Sequence, residues 1–156
     1  MAALQSWGRY PHHPQTPHPV HWPADLPSAL RDAHAAAPGG VLPFGMGRSY
    51  GDSCLAASDH VVVMRTMDRL LAADWSTGVV RVQAGLTFAE LIRVALPRGW
   101  FLPVTPGTQF VTLGGAVAND VHGKNHHRRG TFGCHVERID LLKSDGRSYV
   151  CTSASN

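Results

Sequence analysis

The sequence Gly-Met-Gly-Arg-Ser-Tyr-Gly-Asp at residues 45–52 decides between two classes of fold. It follows a short apolar segment, residues 41–44, which predicts a β-strand. Its glycines are spaced G-x-G-x-x-x-G, one residue longer than the G-x-G-x-x-G fingerprint of doubly wound dinucleotide-binding folds. That fingerprint must open an amphipathic helix, and residues 52–58 carry no apolar stripe. The sequence therefore argues against a doubly wound fold and predicts a strand-terminal loop.

The same loop suits an anion as well as it suits a plain turn. Its glycines leave backbone N–H groups bare and Arg48 adds a positive charge, which is the composition of an anion-binding nest. A Walker-type phosphate loop is excluded because Gly-Lys-Ser/Thr occurs nowhere in the chain. On the pattern alone, a ligand cradle and a tight turn remain equal alternatives.

Patterns on both sides of this loop predict alternating helices and strands. Residues 25–37 predict a helix that Asp25 or Ser28 caps. Residues 60–64 are a continuous apolar run, which is typical of a strand buried on both faces. Residues 79–84 predict the next strand.

A second helix is predicted from residue 87 onward. Thr87 and Glu90 have the spacing of a capping box, in which each side chain accepts a hydrogen bond from the other residue's backbone N–H. Pro97 and Gly99 are predicted to end this helix, as Pro38 ends the first. The apolar residues at helical spacing are Phe88, Leu91, Ile92, Ala95 and Leu96.

The last part of the chain predicts a β-hairpin. Residues 135–143 and 147–152 flank Ser-Asp-Gly at residues 144–146, and Asp-Gly between two apolar segments is a strong hairpin signal. Helices mixed with antiparallel strands give a predicted α+β class.

Composition excludes several functional classes. No apolar run reaches the roughly 18 residues of a membrane span, and no signal-peptide pattern opens the chain. We therefore expect a cytoplasmic protein, with a membrane-associated or periplasmic working site left open. A net charge of +3 does not indicate nucleic acid. Three cysteines without C-x-x-C spacing predict reduced thiols rather than a disulfide framework.

The N-terminal residues differ in composition from the remainder. Residues 1–23 are rich in proline and histidine. Because each proline removes a hydrogen-bond donor and favours extended geometry, we expect an extended arm rather than a packed element. Residues 24–156 are then expected to form the domain.

Residues 106–116 form a second glycine-rich segment. Its small side chains allow close approach either of a ligand or of another backbone segment. Considered alone, this segment favours close packing of a strand against a helix.

Residues 122–130 form a basic segment with several interpretations. His122 and His126 have metal-ligand spacing only on a helix, which Gly123 and Asn125 disfavour, and residues 122–130 contain no carboxylate. A nucleic-acid patch would need interleaved aromatic residues, which are absent here. An anion pocket built on the Lys124 ammonium or a solvated basic loop remains.

Together the three segments offer backbone donors, glycines that allow close approach, and positive charge. This combination predicts a site for a large ligand that carries a diphosphate and a flat ring. It requires that the three segments converge in the folded chain.

The ordered set of motifs resembles one family. Residues 45–52, Pro-Gly-Thr at 106–108, Gly-Gly-Ala at 114–116 and His-Gly-Lys-Asn-His-His at 122–127 are similar to those of FAD-linked oxidases of the vanillyl-alcohol-oxidase superfamily, which have a PCMH-type FAD-binding domain. Within it, the chain resembles the decaprenylphosphoryl-ribose oxidase branch. The resemblance implies the first mixed α/β subdomain and the start of the second, antiparallel subdomain.

The resemblance implies a role for each matching position. The first loop would wrap the FAD diphosphate, and the later positions would contact the rest of the flavin. His122, Gly123 and Lys124 would face the substrate. The implied cofactor contacts are Gly45, Met46, Gly47, Arg48, Ser49, Tyr50, Gly51, Gly107, Thr112, Gly114, Gly115, Asn119 and His122. Relatives with covalent flavin often attach it to a histidine in the first loop. This loop has no histidine, so we expect non-covalent FAD. For the reasons given for residues 122–130, we expect no metal.

The resemblance also implies an activity. The full enzyme would oxidise a sugar or polyol hydroxyl to a ketone by hydride transfer to flavin. Its substrate would be a phosphorylated sugar or polyol, and a substrate linked to a membrane lipid remains an alternative. Alternatives are an alditol or sugar-lactone oxidase on the same scaffold and a non-catalytic anion-binding module. We expect these residues to be an N-terminal portion that lacks the substrate domain and the catalytic residues, binds FAD weakly or not at all when alone, and shows no turnover.

Overall fold

The chain has a mixed α/β architecture, as the sequence predicts. The computed structural model describes residues 4–37 and 39–155. The chain divides into two compact units, residues 1–67 and residues 68–156. Pro38, predicted to end the first helix, lies outside the described residues.

The first unit is built on a three-stranded parallel sheet. Strands β1 (Thr16–Pro19), β2 (Leu42–Phe44) and β3 (His60–Val63) lie in the order β1-β3-β2. Successive side chains of a strand point to opposite faces. Val62 of β3 accordingly packs in a cluster that includes Ala33 of helix α1 (Leu26–Ala36), and Val61 packs in a different cluster. The prediction of a central strand buried on both faces is confirmed.

Part of the proline-rich N-terminal segment belongs to this sheet. The prediction of an unpacked arm is wrong for residues 16–20, since β1 pairs with β3 and Val20 is buried. Prolines are tolerated because β1 is an edge strand, where missing N–H groups need not break a ladder on both sides. His18 on β1 also reaches His60 on β3, with 2.9 Å between Nε2 and Nδ1. The domain boundary at residue 23 stays a prediction.

The first helix begins differently from the prediction. A 3₁₀ turn at Pro23–Asp25 leads directly into α1, so Asp25 is already helical and its side chain caps nothing. The Ser28 hydroxyl donates to the Asp25 carbonyl oxygen at 2.9 Å instead of accepting a backbone N–H. The helix is confirmed and its predicted caps are wrong.

The second unit surrounds the aromatic pair Phe88 and Phe132, whose ring centroids are 5.1 Å apart. Both rings are buried in one cluster with Leu91 and Val104. The elements of this unit are β4 (Leu70–Asp74), β5 (Val79–Val82), α2 (Phe88–Ala95), α3 (Leu113–Ala118), α4 (His126–Arg129), β6 (Arg138–Leu142) and β7 (Ser148–Thr152).

Helix α2 confirms its predicted capping box. The Glu90 N–H donates to Thr87 Oγ1 at 3.3 Å, and the Thr87 N–H donates to Glu90 Oε2 at 2.9 Å. The predicted apolar stripe fails only at Leu96, which is 58% exposed. Pro97 has changed the chain there to a 3₁₀ turn, Leu96–Arg98, and Gly99 follows in the left-handed region.

Two antiparallel pairs complete the second unit. Strands β4 and β5 pair with each other, as do β6 and β7. The turn between β6 and β7 places Gly146 at φ 79°, which confirms the Asp-Gly hairpin. In the described ranges, no helix has the length and apolarity that crossing a membrane requires.

Candidate functional site

The first glycine loop follows Phe44, the buried last residue of strand β2. Gly47 and Gly51 both have left-handed backbone, with φ of 62° and 60°. The loop closes through the Ser53 hydroxyl, which donates to the Tyr50 carbonyl oxygen at 3.0 Å. It is therefore a defined backbone conformation that depends on glycine at two positions.

The amides of this loop are not used by the fold. The backbone N–H groups of residues 46–51 have no hydrogen-bond acceptor among residues 4–37 and 39–155. Arg48 is exposed and Tyr50 is 91% exposed. Unpaired N–H groups beside one guanidinium form a surface that suits an anion.

Gly47 and Gly51 differ in what surrounds them. A Cβ at Gly47 would collide with the backbone oxygen of Gln5 and lie 3.1 Å from the Phe44 ring, whereas a Cβ at Gly51 would meet nothing within 4 Å. Packing within the protein therefore leaves no room for a side chain at Gly47, whereas the space beside Gly51 is open.

Cys54 follows this loop but does not contribute a reactive group. Its side chain is buried with Phe44, Ala56 and Val61. Burial raises the pKa of the Cys54 thiol above its ordinary value, so the thiol stays protonated at neutral pH. Like Cys134 and Cys151, it forms no disulfide within the described chain.

In the second unit, residues 106–109 form another loop with unpaired amides. The N–H groups of residues 107–109 find no acceptor in the part of the chain that the structure describes. The carbonyl oxygens are engaged, since those of Gln109 and Val111 each accept at 3.0 Å from the first turn of α2. A Cβ at Gly107 would meet nothing within 4 Å and its φ is not positive, so neither packing nor backbone geometry requires glycine here.

The segment before α3 has the opposite character. The N–H groups of Leu113 and Gly114 donate to the carbonyl oxygens of Leu86 and Ala84, both at 2.8 Å, and the Gly115 N–H donates to Thr112 Oγ1 at 3.2 Å. A Cβ at Gly114 would lie 2.9 Å from the Ala84 Cβ. Close packing of backbone segments therefore explains Gly114.

Just after α3, Asp120 has a structural role that the sequence did not predict. Asp120 has a left-handed backbone, with φ of 41°, and its carboxylate accepts the Gly133 N–H at 2.8 Å. The Phe132 N–H donates to the Val121 carbonyl oxygen at 2.8 Å, and His122 bridges to Thr131. These contacts close residues 120–133 into a loop. Aspartate adopts a left-handed backbone more readily than most residues. This tendency is the signal in the sequence that could have indicated the conformation of Asp120.

The basic segment lies within that closed loop. It contains one short helical turn, α4, although the neighbouring glycines disfavour a helix in the sequence. His122 precedes this turn, and its ring centroid is 5.6 Å from that of His126. Within the described residues, no group of three potential ligands is arranged to hold a metal.

The cations of this loop have no internal partner. Lys124, Arg128 and Arg129 are exposed, and no described carboxylate lies within 4.0 Å of them. Their charges are therefore available to an external anion.

The predicted site residues fall in both units. Residues 45–51 belong to the first unit, and every other implied contact, from Gly107 to Lys124, belongs to the second. Each group has unpaired amides or cations of its own. All the flavin and substrate contacts assigned to these residues, in both units, stay predictions.

Free loop amides, uncovered glycines and unpaired cations on a mixed α/β scaffold define a domain that binds a large anionic cofactor. The chain belongs to the FAD-binding domain family, whose model matches residues 20–152. The resemblance found in the sequence is thereby confirmed, as is FAD as the cofactor of the family. Unpaired loop amides suit the phosphate oxygens that FAD carries.

The relatives include named oxidases. The chain is 44% identical over 115 residues to decaprenylphosphoryl-beta-D-ribose oxidase of Mycolicibacterium smegmatis, which covers 74% of this chain and 25% of that protein. It is 26% identical over 140 residues to an alditol oxidase of a Streptomyces species, covering 81% of this chain and 34% of that protein. The chain thus spans about a quarter to a third of the length of these relatives.

A solved structure has the same fold. Alkyldihydroxyacetonephosphate synthase superposes with a TM-score of 0.73 over 90% of this chain and 26% of that chain. At 20% identity, this similarity concerns the fold alone.

Proposed function

We propose that this chain is the FAD-binding portion of a flavin-dependent oxidoreductase that oxidises a CH–OH group of a sugar or polyol to a ketone. Support comes from the family and from the names of the relatives, a ribose-derivative oxidase and an alditol oxidase. The proposal depends on two loops, residues 46–51 and 107–109, whose amides have no acceptor in the described part of the chain.

The two loops have a defined task in this proposal. In the first unit, residues 46–51 offer their N–H groups to a diphosphate. In the second unit, residues 107–109 offer further N–H groups, and Gly107 allows close approach to the backbone. When bound, FAD would supply the redox chemistry as the acceptor of the hydride. The chain's own contribution is binding and orientation.

Attachment of FAD is proposed to be non-covalent. The first glycine loop offers Arg48, Ser49 and Tyr50 and no histidine, and its nearest cysteine, Cys54, is buried and protonated. Acid precipitation of the flavin-loaded protein should leave all flavin in the supernatant. Flavin that remains with the precipitate would contradict this assignment.

Lys124 favours a phosphorylated substrate over a neutral polyol. Its ammonium is exposed and unpaired in the described chain, and an ammonium on a flexible stem readily meets a phosphate. The decaprenylphosphoryl-ribose relative carries a phosphoryl group in the name of its substrate, and the identity to that relative is the higher of the two.

The substrate class can be tested in the protein as its host makes it. We expect Lys124→Ala to lower kcat/KM for a phosphorylated ribose derivative about tenfold to a hundredfold, the worth of a charge-assisted hydrogen bond, and to leave kcat/KM for a neutral alditol nearly unchanged. Equal losses for both substrates would remove the phosphate assignment and favour the alditol oxidase alternative.

Cofactor binding can be tested in the protein as its host makes it, with a matched pair of variants. Binding of excess FAD should quench the fluorescence of the protein. Riboflavin should bind far more weakly because it lacks the diphosphate. Gly107→Ala should weaken FAD binding about tenfold through a steric contact with the cofactor. Gly8→Ala is the control, since Gly8 also has open space and no positive φ. Equal binding of FAD and riboflavin, or an unaffected Gly107→Ala variant, would contradict the proposal.

A further inference from the structure

The turn that carries Lys124 is held on both sides. The His126 N–H donates to the Gly123 carbonyl oxygen at 3.1 Å, which places Lys124 inside a tight turn. The Arg128 and Arg129 N–H groups both donate to the Asn125 carbonyl oxygen, at 2.9 and 3.0 Å. The backbone on both sides of the lysine is therefore fixed by hydrogen bonds.

This turn is attached to a different part of the chain by one carboxamide. Asn125 Nδ2 donates to the Pro103 carbonyl oxygen at 3.0 Å. Beside it, Gly123 is buried so tightly that a Cβ would lie 2.6 Å from the Thr105 carbonyl oxygen and 2.9 Å from Asn125 Oδ1. Residues 103–105 lead directly into the 106–109 loop with its unpaired amides. One side chain thus joins the Lys124 turn to the start of that loop.

We infer that Asn125 is a positioning residue that keeps Lys124 at a fixed place relative to the 106–109 loop. The inference rests on the proposed function, in which Lys124 faces the substrate and the 106–109 loop faces the flavin. Lysine has a flexible four-carbon stem, so a fixed backbone limits the region that its ammonium can reach. Fixing the position of Lys124 relative to the 106–109 loop lowers the entropy that must be lost when the substrate binds.

Other described contacts do not replace this one. Asp120 and Val121 close the base of the loop through Gly133 and Phe132, but those contacts join the two ends of the loop to each other. Only the Asn125 carboxamide and the buried Gly123 reach residues 103–105 among the contacts described for residues 122–130. Loss of the carboxamide removes the one described hydrogen bond from this turn to residues 103–105, and only the packing of Gly123 against Thr105 is left there. The turn should therefore become more mobile while the rest of the loop stays closed.

The sequence makes a direct test simple, because the chain has two lysines, Lys124 and Lys143. Labelling with ¹⁵N-lysine gives one backbone amide signal for each, and Lys143 is an internal reference in the β6–β7 hairpin. In the wild-type chain we expect a Lys124 order parameter of about 0.85, typical of rigid backbone, falling below about 0.6 in Asn125→Ala. Lys143 should not change.

A matched variant separates positioning from general stability. Gln15→Ala also removes a long-range bond from a side-chain amide to a carbonyl oxygen, between Gln15 and Ala56 in the first unit. It should leave both lysine order parameters unchanged. A Lys124 order parameter that is equal in wild type and Asn125→Ala, or that falls equally in Gln15→Ala, would overturn the inference.

The consequence for ligands is tested separately in the FAD-loaded protein. Asn125→Ala should raise KM for a phosphorylated sugar about tenfold with little change in kcat, and Asn125→Gln, which retains a donor, should recover part of the loss. An unchanged KM despite a mobile Lys124 would contradict the positioning role. The order parameters require no flavin. Failure of the protein as its host makes it to bind FAD would overturn the proposed function, whereas the inference on Asn125 is decided by the order parameters alone.

Discussion

Gly107 and Gly114 belong to the same unit and look alike in the sequence, yet they are glycines for different reasons. Gly114 lies against Ala84, its N–H is bonded to the Ala84 carbonyl oxygen, and a side chain would not fit. Gly107 has open space, no positive φ and no described acceptor for its N–H. The first is required by packing within the chain, whereas nothing in the described chain requires glycine at the second position.

The first glycine loop shows the same contrast at closer range. Gly47 and Gly51 have almost the same φ, but only Gly47 has the protein packed where a Cβ would be. A glycine-rich motif is therefore a mixture of residues that build a loop and residues that leave room beside it. Substitution by alanine separates the two kinds.

The largest effect is expected for Gly47→Ala. A left-handed backbone costs alanine about 1–2 kcal/mol, and overpacking against Gln5 and Phe44 adds about 1–3 kcal/mol. Gly51→Ala bears the first cost alone. Urea unfolding should rank the variants in that order, and equal midpoints would show that the space around Gly47 is not closed.

Gly114→Ala comes next, with a loss of about 1–3 kcal/mol from overpacking against the backbone of Ala84. Gly107→Ala is its control and should change the free energy of unfolding by less than about 0.5 kcal/mol. If Gly107→Ala destabilises the chain as much as Gly114→Ala, glycine at position 107 has a structural reason and the contrast disappears.

The cap on the packed segment gives a smaller effect. Thr112→Ala removes the acceptor of the Gly115 N–H and should cost about 1 kcal/mol. Thr112→Ser retains the hydroxyl and should retain most of the stability. A serine variant as unstable as the alanine variant would assign the role of Thr112 to its methyl group.

The smallest effect is expected in the turn after strand β4, where a carboxylate of the chain itself accepts a backbone N–H. The Asp74 carboxylate accepts hydrogen bonds from the Ser76 N–H and from the Ser76 and Thr77 hydroxyls, which lower its pKa to about 2. Because the pKa is lower in the folded state, the stabilisation is complete above about pH 4 and is lost as the pH falls through 2.

Asp74→Asn measures this contribution. The difference in stability between wild type and Asp74→Asn should shrink between pH 4 and pH 2, and it is small because the carboxyl is exposed and screened by water. Thermal unfolding of both proteins at several pH values measures the difference. A difference that stays constant over this range would contradict the role of the ionised carboxylate.

Local patterns allowed much of the fold to be predicted. The Thr87 capping box and the Asp145-Gly146 hairpin depend on contacts between residues close in sequence, so the sequence contains their cause. The strand Thr16–Pro19 and the helix Leu113–Ala118 were missed for the opposite reason. A segment with two prolines and a helix with two glycines have poor local propensity, and they form because β3 in one case and the buried residues Leu113 and Ala116 in the other stabilise them.

The candidate site shows the same limit. The motifs identify the residues, because their order along the chain is specific to a family. They do not distinguish a glycine that packs against Ala84 from one that faces open space, or show that Asn125 reaches Pro103. These facts depend on contacts between segments distant in sequence, which no local pattern encodes.

Hydrogen exchange of individual backbone amides in the protein as its host makes it, with and without FAD, tests the central claim most directly. Without FAD, the amides of residues 113–115 should be protected, whereas those of residues 46–51 and 107–109 should exchange rapidly. Saturating FAD should protect residues 46–51 and 107–109. Protection of these amides before FAD is added, or rapid exchange that FAD does not slow, would contradict the account.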